Sequence, residues 1–286
     1  MNDFILSAFA DEAGESLAAQ IAALKRNGLS HMEIRGVDGR PVIDWPESKL
    51  REIADTLKQN GVAVSSLGSP IGKIGILEDF EPHFERFKQA VQAAKILGTD
   101  RIRMFSFFIP QGEDPAQYEA EVVRRVNALC AYAGENGIFC CHENEKEIYG
   151  DTVDRVLRLY ERCPGLKGVF DPANFIQCGE DPAAGFERLK GNTDYLHIKD
   201  AVKADGSVVP AGEGDGGLPG IIEEFYQPGS GRVLSVEPHL FHFDGLSQLQ
   251  KEDLKGQKGY EDGDAAFDAA VKALKALLDE KGYCYE

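Results

Sequence analysis

Apolar residues along this chain fall into two alternating kinds of segment. The first kind is short, mostly β-branched or aromatic, and lacks polar alternation. Such runs cover Phe4–Phe9, His31–Arg35, Ala63–Leu67, Arg101–Phe107, Ile138–Cys141, Gly168–Phe170, Tyr195–Ile198 and Val233–Val236. Parallel strands buried on both faces have this appearance. The second kind is longer and has helical spacing. Ser16–Arg26 puts Leu17, Ile21 and Leu24 on one face, and Pro46–Gln59 starts on a proline and stops before Asn60-Gly61. Phe80–Leu97, Pro115–Gly134, Asp151–Arg162, Ala183–Leu189, Leu218–Phe225 and Asp264–Lys281 complete the helical set. Eight strand–helix units in 286 residues predict an α/β fold, a (β/α)8 TIM barrel forming a single domain over residues 1–286. An open doubly wound sheet is the competing arrangement, but no dinucleotide fingerprint supports it. Residues 241–263 are polar, contain glycine and exceed an ordinary connection, so they read as a loop or lid insertion.

Charge narrows the partners. The formal net charge is −17, which repels nucleic-acid phosphate and anionic membrane surfaces. No run of apolar residues is long enough to span a bilayer, and the first residues lack a signal-peptide plan. Cys130, Cys140, Cys141, Cys163, Cys178 and Cys284 show no metal-ligand spacing and several lie in apolar runs, as reduced thiols of a cytoplasmic protein would. His31 and His83 read as ordinary surface or strand-start residues.

In a barrel, chemistry sits at the C-terminal ends of the strands. Applied here, that filter returns ionisable residues almost every time. Strand two ends in Glu33-Ile34-Arg35, strand four carries Arg103, and strand five ends in His142-Glu143-Asn144-Glu145. Strand six ends in Asp171-Pro172-Ala173-Asn174, strand seven in His197-Ile198-Lys199-Asp200, and strand eight in Glu237-Pro238-His239. Glu143, Asp171, His197 and Glu237 thus come from four successive strands. Three converging carboxylates repel one another, and a divalent cation removes that conflict. Oxygen-rich ligation with one imidazole suits Mn²⁺, Mg²⁺ or Co²⁺ and is compatible with Zn²⁺. The competing reading is an internal salt-bridge network served by Arg35, Arg103 and Lys199.

Other features carry less. Gly212-Glu213-Gly214-Asp215-Gly216-Gly217 is too acidic for a phosphate cradle and reads as a flexible loop. Lys73 in Gly68-Ser69-Pro70-Ile71-Gly72-Lys73 belongs to no P-loop but can reach a substrate from strand three. His142 and His239 are next to ligand candidates, and strand alternation points both of them away into the barrel wall.

At these residues the sequence resembles the xylose isomerase-like barrel superfamily, in its sugar phosphate isomerase/epimerase branch. The resemblance rests on Glu143-Asn144, Asp171-Pro172-x-Asn174, His197-x-Lys199-Asp200, Gly212-x-Gly214 and Glu237, and runs from Phe4 to Glu237. It implies that Glu143, Asp171, His197 and Glu237 bind one divalent metal ion, with Mn²⁺ the first expectation, and that Asn174 and Lys199 support substrate. Arg35, Lys73 and Arg103 join them as substrate-binding candidates, able to hold hydroxyls, a carboxylate or a phosphate. The expected activity is a metal-dependent sugar isomerase or epimerase acting on a ketose or keto-cyclitol. Glu143 and Glu237 would move the proton next to the carbonyl through an enediolate held by the cation. A lyase or dehydratase using the same first step is the alternative, and a non-catalytic sugar-binding barrel is a third reading. The expected partner is a small sugar or cyclitol, with no nucleic acid and no membrane; relatives often form dimers or tetramers, so a homo-oligomer is one option, and the sequence leaves the oligomeric state open.

Overall fold

The computed structural model describes residues 2–241 and 259–286. Eight parallel strands run in sequence: β1 (Phe4–Ala8), β2 (His31–Ile34), β3 (Ala63–Gly68), β4 (Arg101–Met104), β5 (Phe139–Glu143), β6 (Leu166–Phe170), β7 (Thr193–Ile198) and β8 (Arg232–Val236). Each pairs with its neighbour in chain order from β2 round to β8, and β8 closes onto β1 in register from Phe4↔Arg232 to Ala8↔Val236. Among the described residues, only the β1–β2 seam lacks a ladder. There the free edge of β1 is satisfied by the last residues of the chain: Cys284 O accepts from Phe4 N, and Glu286 O accepts from Leu6 N at 2.7 Å. Backbone groups at a buried seam need such partners, and the C-terminal segment supplies them.

Helices α1 (Leu17–Arg26), α2 (Glu47–Gln59), α3 (Phe80–Leu97), α4 (Glu119–Glu135), α5 (Val153–Arg162), α6 (Pro172–Gln177), α7 (Pro182–Leu189), α8 (Leu218–Phe225) and α9 (Gly263–Lys281) surround the strands. The eight expected strands and eight expected helical segments are all present. The segment expected as Pro115–Gly134 divides into a 3-10 turn at Pro115–Gln117 and α4. The fourth strand stops at Met104 rather than Phe107: Phe105 N already bonds outside the ladder to Ile71 O, and Phe107 takes a left-handed φ of 70° that no strand accepts. Helix α6 was not foreseen. It is only six residues long, capped by the Asp171 side chain accepting from Asn174 N, with Pro172 at its start. Most of the expected 241–263 insertion lies outside the described residues.

Two apolar layers follow from strand alternation. The larger packs between strands and helices. The smaller lies inside the barrel, where Cys141, Val169, Tyr195 and Val233 meet Ile5. Above this plug the interior turns polar: Ser7 Oγ lies 2.6 Å from Ser65 Oγ, and Ser66 Oγ 3.1 Å from Tyr195 Oη. The apolar plug therefore separates the lower barrel from a polar upper half. No described helix is long and apolar enough to cross a membrane.

His83 is not a surface residue. It is buried on α3, and its Nε2 accepts from Gly72 N at 2.8 Å. Gly72 itself has φ 89°, and a Cβ there would sit 2.1 Å from the Phe105 carbonyl oxygen. Only glycine fits this crossing, which sets the Lys73 loop against the strand-four end. Burial, reinforced by Arg86 and Arg125, lowers the His83 pKa to about 4 from 6.5. The unfolded chain therefore binds this proton more readily than the folded one. The contribution is complete above pH 6.5 and is lost as pH falls toward 4. Urea unfolding followed from pH 7 to pH 4 is expected to show falling stability, with a shallower fall in His83→Gln. An unchanged slope in that variant would remove His83 from the effect.

Candidate functional site

The C-terminal ends of the strands converge as the alternation requires. Glu143 ends β5, Asp171 follows β6 as the cap of α6, His197 lies on β7, and Glu237 follows β8. One ligand atom from each of the four lies within 4.8 Å of all the others, and all four residues are buried. His197 Nδ1 is 3.2 Å from Glu143 Oε1, 3.6 Å from Glu237 Oε2 and 3.9 Å from Asp171 Oδ2. Lys199 Nζ lies 2.8 Å from Asp171 Oδ2 and 2.7 Å from Glu237 Oε2. Even so, neither Asp171 Oδ2 nor His197 Nδ1 has a hydrogen-bond partner among the described residues.

The electrostatics record the crowding. Burial pushes the Asp171 carboxyl up to about 7, with Lys199 opposing and Glu237 and Glu143 adding to the rise. For Glu143 burial also pushes upward, but His197 and Arg103 outweigh it and hold the group at about 2. Glu237 is held well below the ordinary carboxylate range, as Lys199, His239, His197 and Arg35 outweigh its burial. Burial alone would lower His197, yet Glu143 and Glu33 raise it well above 6.5. Around this centre the carboxylates Asp11, Glu12, Glu33 and Glu145 join the three ligand candidates, against the cations Arg35, Lys73, Arg103 and Lys199. Carboxylates outnumber these cations, and protons make up the difference: the Glu12 and Asp171 carboxyls are pushed up and the His197 ring is held protonated. Converging buried oxygens and an imidazole nitrogen facing them are the donor set a hard or borderline divalent cation requires.

The substrate-binding candidates surround the same point. Arg103 Nε is 3.2 Å from Glu143 Oε2, and Arg103 Nη1 donates to Ser69 O. Arg35 reaches Asp11, Glu12 and Glu237 and lies over the Phe9 ring. Lys73 Nζ sits 3.4 Å from Glu145 Oε2 and 4.3 Å from the Phe105 ring centre. Its pKa is lowered, by burial first and by Arg103 next. Asn174 donates from Nδ2 to Glu143 Oε1 and to Asn144 O, and its Oδ1 has no partner among the described residues. Asn144 links the same strand ends, accepting from Asp171 N and donating to Asp171 O.

Two histidine expectations part company. His142 does point away: its Nε2 pairs with Ser106 Oγ at 2.9 Å. His239 points inward, with Nε2 3.4 Å from Glu12 Oε1 and 3.5 Å from Glu237 Oε1. Strand alternation failed there because β8 ends at Val236 and His239 has φ 44°, so no pleat governs its direction. Glu12 was also missed. It follows the first strand as part of Asp11-Glu12, so the strand-end filter would have found it had it been applied to β1. Burial pushes the Glu12 carboxyl up to about 8 despite Arg35. The glycine loop is anchored rather than loose. Asp200 accepts from Gly212 N, Gly214 N and Gly216 N at 2.8–3.1 Å, so the nest of donors that resembled a phosphate cradle is filled by the chain's own carboxylate. A Cβ at Gly214 or Gly216 would meet that carboxylate at 2.4 or 2.6 Å.

Solved structures share this architecture. The probable 3-DHS dehydratase AsbF of Bacillus anthracis, involved in petrobactin synthesis, aligns with TM-score 0.72 and 20% identity over 96% of this chain and 98% of its own. The IOLI protein with a bound zinc atom aligns with TM-score 0.72 and 16% identity over 98% and 99%. The 3-keto-D-glucoside 4-epimerase YcjR of E. coli aligns with TM-score 0.67 and 14% identity over 96% and 99%. No curated protein sequence matches the chain. The family described as xylose isomerase-like TIM barrel matches residues 21–277, which takes in seven of the eight strands and all four converging residues, and the chain belongs to that family.

Proposed function

We propose that the protein is a divalent-cation-dependent isomerase or epimerase acting next to the carbonyl of a ketose or keto-cyclitol. The convergence of Glu143, Asp171, His197 and Glu237 carries this reading. They would hold one cation, Mn²⁺ by donor type, with Mg²⁺, Co²⁺ or Zn²⁺ as alternatives. Such a cation supplies Lewis-acid polarisation of a carbonyl oxygen, worth several kcal/mol of developing charge. Support for a metal in this fold comes from the IOLI structure, whose zinc belongs to that protein.

Glu143 and Glu237 then divide the proton chemistry. Both are held ionised at neutral pH, so either can act as base. They approach from β5 and β8, which lets one remove the proton beside the carbonyl and the other return it on a different side. A positioned carboxylate contributes on the order of 10²–10⁴ in rate. Arg103 orients Glu143 from the β4 side. Arg35, Lys73 and Lys199 provide donors for substrate oxygens, and Asn174 Oδ1 can accept from a hydroxyl.

Elimination is the second reading, favoured by Glu12. Its carboxyl, pushed up to about 8, is a proton donor at neutral pH beside Glu237, and expelling a hydroxyl or alkoxide needs a donor. Incubation with Mn²⁺ in deuterated water separates the two. A ketose, a keto-cyclitol and a 3-keto glycoside are each tested. Solvent deuterium in an unbroken sugar is expected, whereas an unsaturated product would make the protein a lyase. Neither product, together with a failure to retain divalent metal, would leave the non-catalytic sugar-binding barrel.

A further inference from the structure

We propose that Glu33 is a positioning residue that decides which ring nitrogen of His197 meets the cation, and that Tyr195 holds Glu33 to that task. The inference rests on the proposed cation site. Glu33 lies on β2, across the barrel from His197 on β7, and its Oε2 is 3.1 Å from His197 Nε2. The other ring nitrogen, Nδ1, is the one that faces Glu143, Asp171 and Glu237. Glu33 Oε1 is occupied in turn, accepting from the Tyr195 hydroxyl at 2.7 Å, and that hydroxyl also meets Ser66 Oγ. Glu33, Ser66, Tyr195 and His197 are all at most 1% exposed, so no solvent competes for these bonds.

The polarity of the chain is fixed by its chemistry. A carboxylate only accepts, so the His197 nitrogen facing Glu33 must carry a proton. A ligand imidazole keeps one proton, and Glu33 holds that proton on Nε2, so the Nδ1 proton facing Glu143 in the cation-free protein is the one a cation would displace. Glutamine in place of Glu33 keeps the shape and reverses the outcome. The Tyr195 hydroxyl claims the amide oxygen, and the amide NH₂ then faces Nε2. That nitrogen must accept, the ring proton moves to Nδ1, and the ligand atom is blocked. An isosteric amide at a histidine's carboxylate partner selects the wrong tautomer in this way. Removing the Tyr195 hydroxyl should undo the damage, because the glutamine is then free to turn its oxygen toward His197.

Mn²⁺ titration by calorimetry of wild type, Glu33→Gln, Tyr195→Phe and the double variant tests this, with urea unfolding in chelator as the control for folding. Glu33→Gln is expected to bind Mn²⁺ about 10–100-fold more weakly, the range for losing a ligand's outer partner. Tyr195→Phe should stay within roughly threefold of wild type, since Glu33 still accepts from His197. The double variant should bind more tightly than Glu33→Gln alone, which a merely structural loss would not produce. Equal affinity in wild type and Glu33→Gln, or a double variant weaker than both singles, would overturn the proposal. Independently of any variant, ¹⁵N-histidine spectra of the Zn²⁺-loaded protein should place the His197 proton on Nε2, and a proton on Nδ1 would also overturn it. A wild type that binds no Mn²⁺ is a different failure, which sinks the cation site itself.

Discussion

Glu237→Gln is expected to abolish turnover and to weaken Mn²⁺ binding while leaving the barrel folded. Glu237 meets four groups of the centre, as many as His197 does: Lys199 at 2.7 Å, Arg35 at 3.4 Å, His239 at 3.5 Å and His197 at 3.6 Å. The amide keeps the volume but removes a charge and half of the acceptor capacity. On the proposed reading Glu237 is both ligand and base, and loss of a direct ligand should exceed the roughly 10–100-fold that follows loss of an outer partner. Loss of the base should cost a further factor on the order of 10²–10⁴ in rate. The fold survives because the neighbouring cations keep other partners: Lys199 retains Asp171, and Arg35 retains Asp11 and Glu12. Calorimetric titration, the deuterium-exchange assay and circular dichroism check the three parts. Full activity with wild-type affinity would remove Glu237 from the site.

Lys199→Met tests whether the acidic cluster exists for a cation or for the internal ammonium. Lys199 is buried between Asp171 and Glu237, and although burial works against its charge, those carboxylates raise its pKa well above 10.5. In the metal-free protein it is the counterion that lets them coexist. Removing one partner of such a buried set typically costs about 3–5 kcal/mol, because the remaining charges stay buried without compensation. The variant should therefore unfold at markedly lower urea concentration in chelator. Adding Mn²⁺ should restore more stability to Lys199→Met than to wild type, since cation and ammonium share the same two carboxylates and binding to the folded state adds stability. No recovery with Mn²⁺ would mean that the strand ends form a salt-bridge network closing the barrel mouth.

The barrel was legible because its signal is local. A strand buried on both faces is largely apolar, so runs such as Ile138–Cys141 and Gly168–Phe170 stand out from the amphipathic helices between them. Strand ends carrying Glu143, Asp171, His197 and Glu237 were legible for the same reason. Water would otherwise solvate such groups, and placing them at the end of buried strands makes sense only if something inside the barrel balances them. Glu12 was within reach of the same filter applied to the first strand, but the inward direction of His239 was not legible, since it lies past a strand end where no periodicity fixes direction. The glycine loop was misread because the carboxylate that holds it, Asp200, is recognisable as its partner only once both are in space.

The sequence by itself determined the repeating strand–helix order, the parallel topology and the four residues that face the barrel mouth. Each follows from periodicity and burial along a few consecutive residues. Only the tertiary structure decided the pairings: Glu33 behind His197, Tyr195 behind Glu33, Lys199 between Asp171 and Glu237, and the C-terminal residues against β1. Such contacts join residues dozens to hundreds of positions apart. Their geometry comes from closing the sheet on itself, which no local pattern encodes.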